Sequence, residues 1–294
     1  MALKQKITLL GAGSWGTALA ILAAKNGCQV MLWGHNEKHI SAISKARENQ
    51  RYLPGQILPA PVSVTSDLKK ASEFSDFVLI SLPSHAFKNT LIDLRSNTKS
   101  NSLKIAWATK GFNPQDGQLL HQVVADIFSP KTPAAILSGP SFAVEVAANL
   151  PTAITVASAD TEFANQIADI LHNDRFRAYT SSDIIGVEVG GAVKNVLAIA
   201  AGIADGLGFG ANTRAALITR GLNEIMRLGI KLGGKQETFV GLAGLGDLVL
   251  TCTDNQSRNR RFGLAIGLGR NMTEAATEID QEIEGVSSAK ETYL

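Results

Sequence analysis

Cysteines, internal repeats, low-complexity runs and a surplus of either charge are scarce or lacking in this chain of 294 residues. The two cysteines, Cys28 and Cys252, lie far apart and form neither a metal-binding spacing nor a disulfide framework. We therefore expect no bound metal and a reducing, cytoplasmic location. Lysine and arginine exceed aspartate and glutamate by only two, and the signs are interspersed, so a nucleic acid partner is not expected.

A long, purely apolar run near the start is also missing. Residues 7–24 follow a basic N-terminus and resemble a signal peptide, but Gly11, Gly13 and Gly16 interrupt them and no break follows. Such glycines and the polar residues beside them make a poor membrane-spanning helix. We interpret the stretch as part of a folded core and expect no stable membrane insertion.

The chain has 45% hydrophobic residues and a length typical of about two domains. In its first part, short apolar strands alternate with helical patterns, which predicts an α/β domain over residues 1–181 with a Rossmann-like, doubly wound, mostly parallel sheet. From residue 182 to 294 the pattern predicts an all-helical domain, with the ligand cleft between the two. The strands are expected over residues 6–10, 29–33, 77–81, 103–107, 134–137 and 153–156. The helices are expected over residues 17–25, 85–94, 118–127, 162–171, 182–204, 212–228 and 261–268.

A glycine motif, Gly11-Ala-Gly-Ser-Trp-Gly16, stands between the first strand and its helix, the context in which it predicts dinucleotide binding. Its first glycine permits the tight turn, its second lets a pyrophosphate approach, and its third lets the helix pack on the sheet. After the second strand, the carboxylate that would bond the ribose of NAD is missing from Trp33-Gly34-His35-Asn36. This favours NADP or dual use, with His35 either a phosphate contact or a solvated loop residue.

Lys194 is the only charged residue in an apolar helical stretch that begins at Ala192. Burial would lower its pKa toward the range of a general base or acid, whereas the alternative is a packed stem with the amine in solvent. Gly190 and Gly191 precede it on the face toward which its side chain leans, so we expect open space there for a ligand.

Loops that follow strands offer two more candidates. Lys110 either holds a phosphate or carbonyl oxygen or is an ordinary exposed lysine. His85 has no apparent carboxylate partner and is interpreted as structural.

Two polar clusters stand out in the helical part. Asp247 follows an apolar stretch of residues 242–246, which we expect to be a flexible turn. Residues 253–261 gather hydroxyl, amide and guanidinium groups just ahead of a helix, which suits a phosphate dianion or, alternatively, a solvated helix start.

Together these segments closely resemble bacterial NAD(P)-dependent glycerol-3-phosphate dehydrogenases, nearly from end to end. Trp15 within the glycine loop and the block around Lys194 are more specific than the glycine fingerprint alone. The resemblance rests on residues Gly11-Ala-Gly-Ser-Trp-Gly-Thr-Ala-Leu-Ala20, Ser138-Gly-Pro-Ser-Phe-Ala-Val-Glu-Val-Ala147, Gly191-Ala-Val-Lys-Asn-Val-Leu-Ala-Ile-Ala-Ala-Gly202, Gly241-Leu-Ala-Gly-Leu-Gly-Asp247, Thr251-Cys-Thr253, Ser257-Arg-Asn259 and Glu284-Gly285.

The resemblance implies roles for individual residues, with Lys194 as the proton acceptor. Glu282 departs from the pattern, since members more often carry an apolar residue there. Members also usually continue past Leu294, so we expect the C-terminal end to be truncated. The implied cofactor-binding residues are Gly11, Gly13, Ser14, Trp15, Gly16, His35, Lys110, Ala143, Arg258, Glu282 and Glu284. The implied substrate-binding residues are Lys110, Gly139, Ser141, Lys194, Asp247, Ser257, Arg258 and Asn259.

The expected activity is interconversion of sn-glycerol 3-phosphate and dihydroxyacetone phosphate with NAD(H) or NADP(H), supplying phospholipid synthesis, in a homodimer. One alternative is a related two-domain hydroxy-acid dehydrogenase, which turnover of a phosphate-free substrate would favour. Another is a dinucleotide-binding redox sensor without turnover. A sensor has no need for a lysine in an apolar helix or for the cluster at Ser257-Arg258-Asn259.

Overall fold

Short apolar stretches form the strands of one eight-stranded sheet in the computed structural model, which describes residues 5–98, 100, 102–279 and 282–293. The sheet has the order β3-β2-β1-β4-β5-β6-β7-β8, and every neighbouring pair is parallel except β6 with β7. The first six strands follow the order of doubly wound dinucleotide-binding folds, as predicted. The strands are β1 (Lys6–Leu10), β2 (Gln29–Trp33), β3 (Val62–Thr65), β4 (Phe77–Ile80), β5 (Lys104–Trp107), β6 (Ala134–Ser138), β7 (Thr152–Ser158) and β8 (Phe176–Ser181).

Helices cover both faces of this sheet, and each face has its own apolar cluster. Ile7 and Leu9 of β1 join one cluster while Leu10 joins the other, as the alternation of side chains along a strand requires. Residues 7–24 thus form β1 and the buried first helix, in agreement with their interpretation as core. The helices of this part are α1 (Ser14–Lys25), α2 (Glu37–Ala46), α3 (Leu68–Ser72), α4 (Ser84–Asn97), α5 (Leu120–Ile127), α6 (Ala143–Ala147) and α7 (Thr161–Leu171).

After Ser181 every element of regular secondary structure among the described residues is a helix or a helical turn, which confirms the predicted helical C-terminal part; the domain boundary at residue 181 stays a prediction. The elements are α8 (Ile184–Gly206), α9 (Gly210–Lys231), α10 (Gln236–Phe239), a π-helical turn (Leu242–Gly246), α11 (Asp247–Thr253), α12 (Arg258–Gly267), α13 (Met272–Ile279) and α14 (Glu284–Tyr293).

Helix α8 is the element on which this part is assembled. It is long and apolar enough to cross a membrane, yet most of its apolar window is buried inside the protein, as in the core helix of a folded domain. Its start is fixed by buried Asp183, whose Oδ1 accepts the N–H of Gly186 at 2.9 Å. The Oδ2 atom of Asp183 accepts from the backbone of Lys235 and the hydroxyl of Thr238, which ties α8 to α10.

The structure differs from the sequence prediction in several elements, and helices α2, α3, α6, α10, α11, α13 and α14 lie outside the predicted helix ranges. Strands β3 and β8 are absent from the prediction because they are short or mostly exposed and lack a continuous apolar run. The segment Leu242–Gly246 is a π-helical turn, so the expected flexible turn was wrong. Helix α12 begins at Arg258, three residues earlier than predicted, because Ser257 caps it by accepting the N–H of Arg260.

Candidate active site

A cavity of about 460 Å³ lies between the carboxyl ends of the central strands and the helical part. The loops after β1, β5 and β6 form one wall, and helices α8, α11, α12 and α14 form the other. The predicted residues that line it are Ser14, Trp15, Lys110, Ser141, Ala143, Lys194, Asp247, Ser257, Arg258, Asn259 and Glu284.

Lys194, Asp247 and Lys110 form a compact charged cluster in this cavity. The Nζ atom of Lys194 donates to Asp247 Oδ1 at 2.5 Å and to Thr251 Oγ1 at 2.8 Å. The Nζ atom of Lys110 donates to the other carboxylate oxygen, Oδ2, at 2.6 Å. The side chains of Lys194 and Asp247 are almost fully buried, so the amine of Lys194 does not reach bulk solvent.

Burial lowers the pKa of Lys194 from its ordinary value to about 8. The carboxylate of Asp247 opposes this effect, and the nearby ammonium of Lys110 adds to it. Burial by itself raises the pKa of Asp247, but the charges of Lys110 and Lys194 outweigh it and hold that pKa below its usual range. Two ammonium groups therefore share one carboxylate, and losing a proton from Lys194 leaves the cluster neutral.

The glycines before Lys194 serve close packing, and the expected open space beside them is absent. A Cβ atom on Gly190 would lie 2.8 Å from the carbonyl oxygen of Ala243 in the π-helical turn. A Cβ atom on Gly191 would lie 3.1 Å from Ser138 Oγ. The glycines thus let α8 approach the π-helical turn and the end of β6, which brings Lys194 near Asp247.

Further polar groups lie at the start of α12, on the same cavity. Ser257 is buried and Arg258 is half-buried, with a guanidinium nitrogen 3.8 Å from Glu284 Oε1. Glu284 also accepts from Asn195, the residue after Lys194. Asn259 accepts the N–H of Gly285 through its Oδ1, so α12 and α14 are joined at the cavity wall.

The glycine loop has the shape of a dinucleotide cradle. At Gly11, with φ of +122°, a Cβ atom would meet Ser81 O at 2.2 Å, and at Gly16 one would meet Gly11 O at 1.9 Å. At Gly13, by contrast, nothing lies within 4 Å of an added Cβ atom, and no side chain caps the start of α1. The residues present therefore fit a dinucleotide: a pyrophosphate could approach at Gly13 and meet free N–H groups of α1.

The remaining predicted residues do not line the cavity, and their roles stay predictions. Gly139 has a φ of +153° and its missing side chain lets the loop pack on Ile154 of β7. His35 is exposed after β2. Glu282 is exposed, with Oε1 3.7 Å from His85 Nδ1, so the expectation that His85 lacks a carboxylate neighbour was wrong. That neighbour is about 200 residues away, which sequence proximity cannot show.

Several residues of the cavity were missed from the sequence. Thr251 stands four residues after Asp247 on one helix, so their shared face could have been found from spacing. Arg51 and Tyr52 lie in the loop before β3, whose pattern gives no signal of a site, and only the fold brings them to the cavity. Asn195 also lines it, as do Gln256 and Arg261 of the predicted polar cluster over residues 253–261.

Two family models match the chain over most of its length. The N-terminal model of NAD-dependent glycerol-3-phosphate dehydrogenase matches residues 6–164, and the C-terminal model of the same family matches residues 183–294. The chain belongs to the NAD-dependent glycerol-3-phosphate dehydrogenase family. Membership makes it an NAD(P)-dependent oxidoreductase, as the resemblance implied.

Individual relatives support the same family assignment. Glycerol-3-phosphate dehydrogenase [NAD(P)+] of Colwellia psychrerythraea is 54% identical over all of this chain and 88% of its own length. The enzyme of that name from Methylococcus capsulatus is 55% identical over 97% of this chain and 85% of its own length.

Solved structures of the family match the described fold as well. A crystal structure of glycerol-3-phosphate dehydrogenase from Coxiella burnetii is similar with a TM-score of 0.96 at 49% identity, covering 99% of this chain and 89% of that one. D-mandelate dehydrogenase, at 13% identity over 98% of this chain and 99% of its own, has a TM-score of 0.60 and shares the fold alone.

Proposed function

We propose that this chain interconverts sn-glycerol 3-phosphate and dihydroxyacetone phosphate with Lys194 as general base and acid. The observation that carries the proposal is the buried amine of Lys194, held at 2.5 Å by Asp247 on the wall of the cleft. An amine with a pKa of about 8 can exchange a proton at neutral to mildly alkaline pH.

In the oxidation direction, neutral Lys194 takes the proton of the C2 hydroxyl on its Nζ atom. In the reduction direction, protonated Lys194 returns that proton to the developing alkoxide. The nicotinamide cofactor, when bound, accepts or supplies the hydride. Asp247 holds the amine in place by its hydrogen bond, and Lys110, bonded to the other oxygen of Asp247, offers a second positive charge toward the substrate oxygen.

The substrate phosphate is proposed to lie at the start of α12. Arg258 offers a planar guanidinium fork there, and Asn259 offers an amide in the same helical turn. The N-terminus of α12 adds its partial positive charge. Arg258 also faces Glu284, and the resemblance assigns both residues to the cofactor as well.

Substrate choice tests this proposal against its alternatives. We expect NADPH or NADH oxidation with dihydroxyacetone phosphate and much slower turnover with dihydroxyacetone, since the phosphate supplies binding energy that orients the ketone. Comparable efficiency with a phosphate-free hydroxy acid or keto acid would instead support a hydroxy-acid dehydrogenase. Tight dinucleotide binding with no turnover of any of these substrates would support the sensor.

The phosphate site predicts a specific effect of Arg258→Ala. Removing one charge-assisted fork should raise the KM for dihydroxyacetone phosphate roughly 10- to 100-fold, the equivalent of about 1.5–3 kcal/mol. Steady-state kinetics at saturating cofactor measures it, with the exposed Arg227→Ala as a matched control. A KM equal to that of the wild type would refute the phosphate position.

Broader features are proposed from family likeness and sequence composition. We infer that the protein is a cytoplasmic homodimer and that each chain divides into two domains at residue 181. We also infer that its product, glycerol 3-phosphate, supplies phospholipid synthesis. Sedimentation equilibrium should give twice the chain mass, and a monomer mass across the concentration range would exclude the dimer.

A further inference from the structure

Arg51 lies on the wall of the cavity beside the glycine loop, although the sequence gives no reason to place it there. It shares this wall with Ser14 and Trp15 at the start of α1. The loop that carries it is anchored by Asn49, which is fully buried and donates to Ala12 O at 3.0 Å and to Thr17 Oγ1 at 2.8 Å. The position of Arg51 is therefore set by direct bonds from its own loop to the glycine loop.

Arg47 stabilises the same loop with hydrogen bonds to backbone carbonyl groups. Arg47 donates to three carbonyl oxygens, those of Leu58, Pro59 and Val62. All of these bonds of Arg47 stay within its own loop, whereas Arg51, four residues later, is exposed and lines the cavity.

The guanidinium of Arg51 has no carboxylate within 4.0 Å among the residues that the structure describes. Its Cζ atom lies 5.1 Å from the ring centroid of Tyr52, which favours one orientation of the fork. Tyr52 in turn packs edge-on against His39, with ring centroids 5.1 Å apart.

Basic groups converge at this point, next to the end of β2. Burial lowers the pKa of His39, and the charges of Arg51 and His35 lower it further, as expected of groups that lie close together. No carboxylate follows β2 at position 35 or 36, where a dinucleotide-binding fold would place one for an unphosphorylated ribose. The lasting positive charge beside the cradle at Gly13 is therefore that of Arg51, because the lowered pKa leaves His39 neutral.

We propose that Arg51 binds a phosphate group of the dinucleotide. A planar, permanently charged fork suits a phosphate better than any other group that the cofactor presents. Two phosphates of the cofactor could supply this chemistry: the 2′-phosphate of NADP(H), or the pyrophosphate common to both dinucleotides. The inference rests on the proposed position of the dinucleotide at the glycine loop.

Direct binding measurements test the proposal. We expect Arg51→Ala to weaken NADPH binding by roughly 10-fold or more in isothermal titration calorimetry, and Arg51→Lys to retain part of the affinity. If NADH binding weakens by the same factor, Arg51 binds the pyrophosphate; if NADH binding is unchanged, Arg51 binds the 2′-phosphate. Arg227→Ala, which removes an exposed charge of the same sign, should leave both affinities unchanged.

Two outcomes would overturn the account, and they can be told apart. Wild-type affinity of Arg51→Ala for both dinucleotides would remove Arg51 from the site. Gly13→Val, which adds a side chain where the loop is open, reports on the position of the dinucleotide itself. If Gly13→Val binds NADPH as the wild type does, the proposed position at the glycine loop is wrong, whatever Arg51 does.

Discussion

At the scale of single residues, the site depends on one carboxylate shared by two ammonium groups. Asp247 accepts from Lys194 and Lys110 on its two oxygens, at 2.5 and 2.6 Å. A buried pair of opposite charges would hold the lysine protonated, but the second ammonium leaves one positive charge in excess. Burial, with this excess adding to it, lowers the pKa of Lys194 to about 8, where a proton can leave and return.

This arrangement predicts opposite pH shifts for two variants. Oxidation of glycerol 3-phosphate needs neutral Lys194, so its kcat/KM should rise with pH through about 8, while reduction should fall over the same range. Lys110→Gln removes a positive neighbour, which favours the protonated amine of Lys194. The pH dependence of kcat/KM should therefore move to higher pH. Asp247→Asn removes the negative neighbour and moves it to lower pH, each by about one unit or more. Shifts of both variants in the same direction would contradict the shared-carboxylate account.

Two glycines of the loop, Gly13 and Gly16, should respond differently to an added side chain. Gly13→Val should lower the melting temperature less than Gly16→Ala, since nothing lies within 4 Å of the added Cβ atom, yet weaken NADPH binding roughly 100-fold. Gly16→Ala should instead destabilise the fold by about 1–3 kcal/mol, because its Cβ atom would lie 1.9 Å from Gly11 O. Thermal denaturation and calorimetric titration of both variants measure this. Equal melting temperatures would show that Gly16 has no packing role.

At this scale the sequence predicts residues better than it predicts their partners. Lys194 is conspicuous because a charge in an apolar helix is costly. Nothing in its own segment shows that Asp247 and Thr251, more than fifty residues later, hold its amine. The role foreseen for Gly190 and Gly191 was wrong for a related reason: a missing side chain indicates close approach, and only the fold shows whether protein or ligand approaches.

At the scale of elements, the crossing of α8 and α12 sets the distance between the two ends of the proposed substrate site. A Cβ atom on Gly202 of α8 would lie 2.1 Å from Arg260 O, and one on Gly263 of α12 would lie 2.0 Å from Ile199 O. The two backbones therefore touch at these glycines. Because Lys194 stands on one helix and Arg258 on the other, this contact fixes the span between amine and guanidinium.

Gly202→Ala should force α8 and α12 apart. We expect a loss of about 1–3 kcal/mol in the free energy of unfolding, from overpacking against backbone, and a raised KM for dihydroxyacetone phosphate. Chemical denaturation gives the stability, and Gly241→Ala, whose added Cβ atom finds only ordinary contacts at 3.4 Å, is the control. If Gly202→Ala and its control unfolded alike, the close crossing would not govern stability.

The elements that the sequence predicts well are those with a clear apolar pattern. The central strands β1, β2, β4, β5 and β6 are buried on both faces, and their continuous apolar runs identify them. Strand β8 lies at the edge of the sheet, and most of its residues are exposed or partly exposed, so it has no clear apolar pattern. The π-helical turn before Asp247 forms against Phe239 and Gly190, and local composition alone indicates a turn there.

At the scale of the whole molecule, function arises where two differently built parts meet. The sheet supplies the segments that follow the carboxyl ends of its strands, with Ser14 at the start of α1 and Lys110 and Ser141 on loops. The helical part supplies Lys194, Asp247 and Arg258. The bond between Lys110 and Asp247 joins the two, across 137 positions of sequence. The sequence predicts which part holds which kind of chemistry, but the joining bond comes from tertiary packing.

The central claim, that Lys194 transfers the substrate proton, is tested most directly by Lys194→Ala. NADPH oxidation by dihydroxyacetone phosphate is followed by absorbance, and NADPH affinity is measured separately by calorimetry. We predict that the variant binds NADPH much as the wild type does and that kcat falls by about 10²- to 10⁴-fold, the usual contribution of a general acid. A kcat within a few-fold of the wild type, with NADPH still bound, would contradict the account.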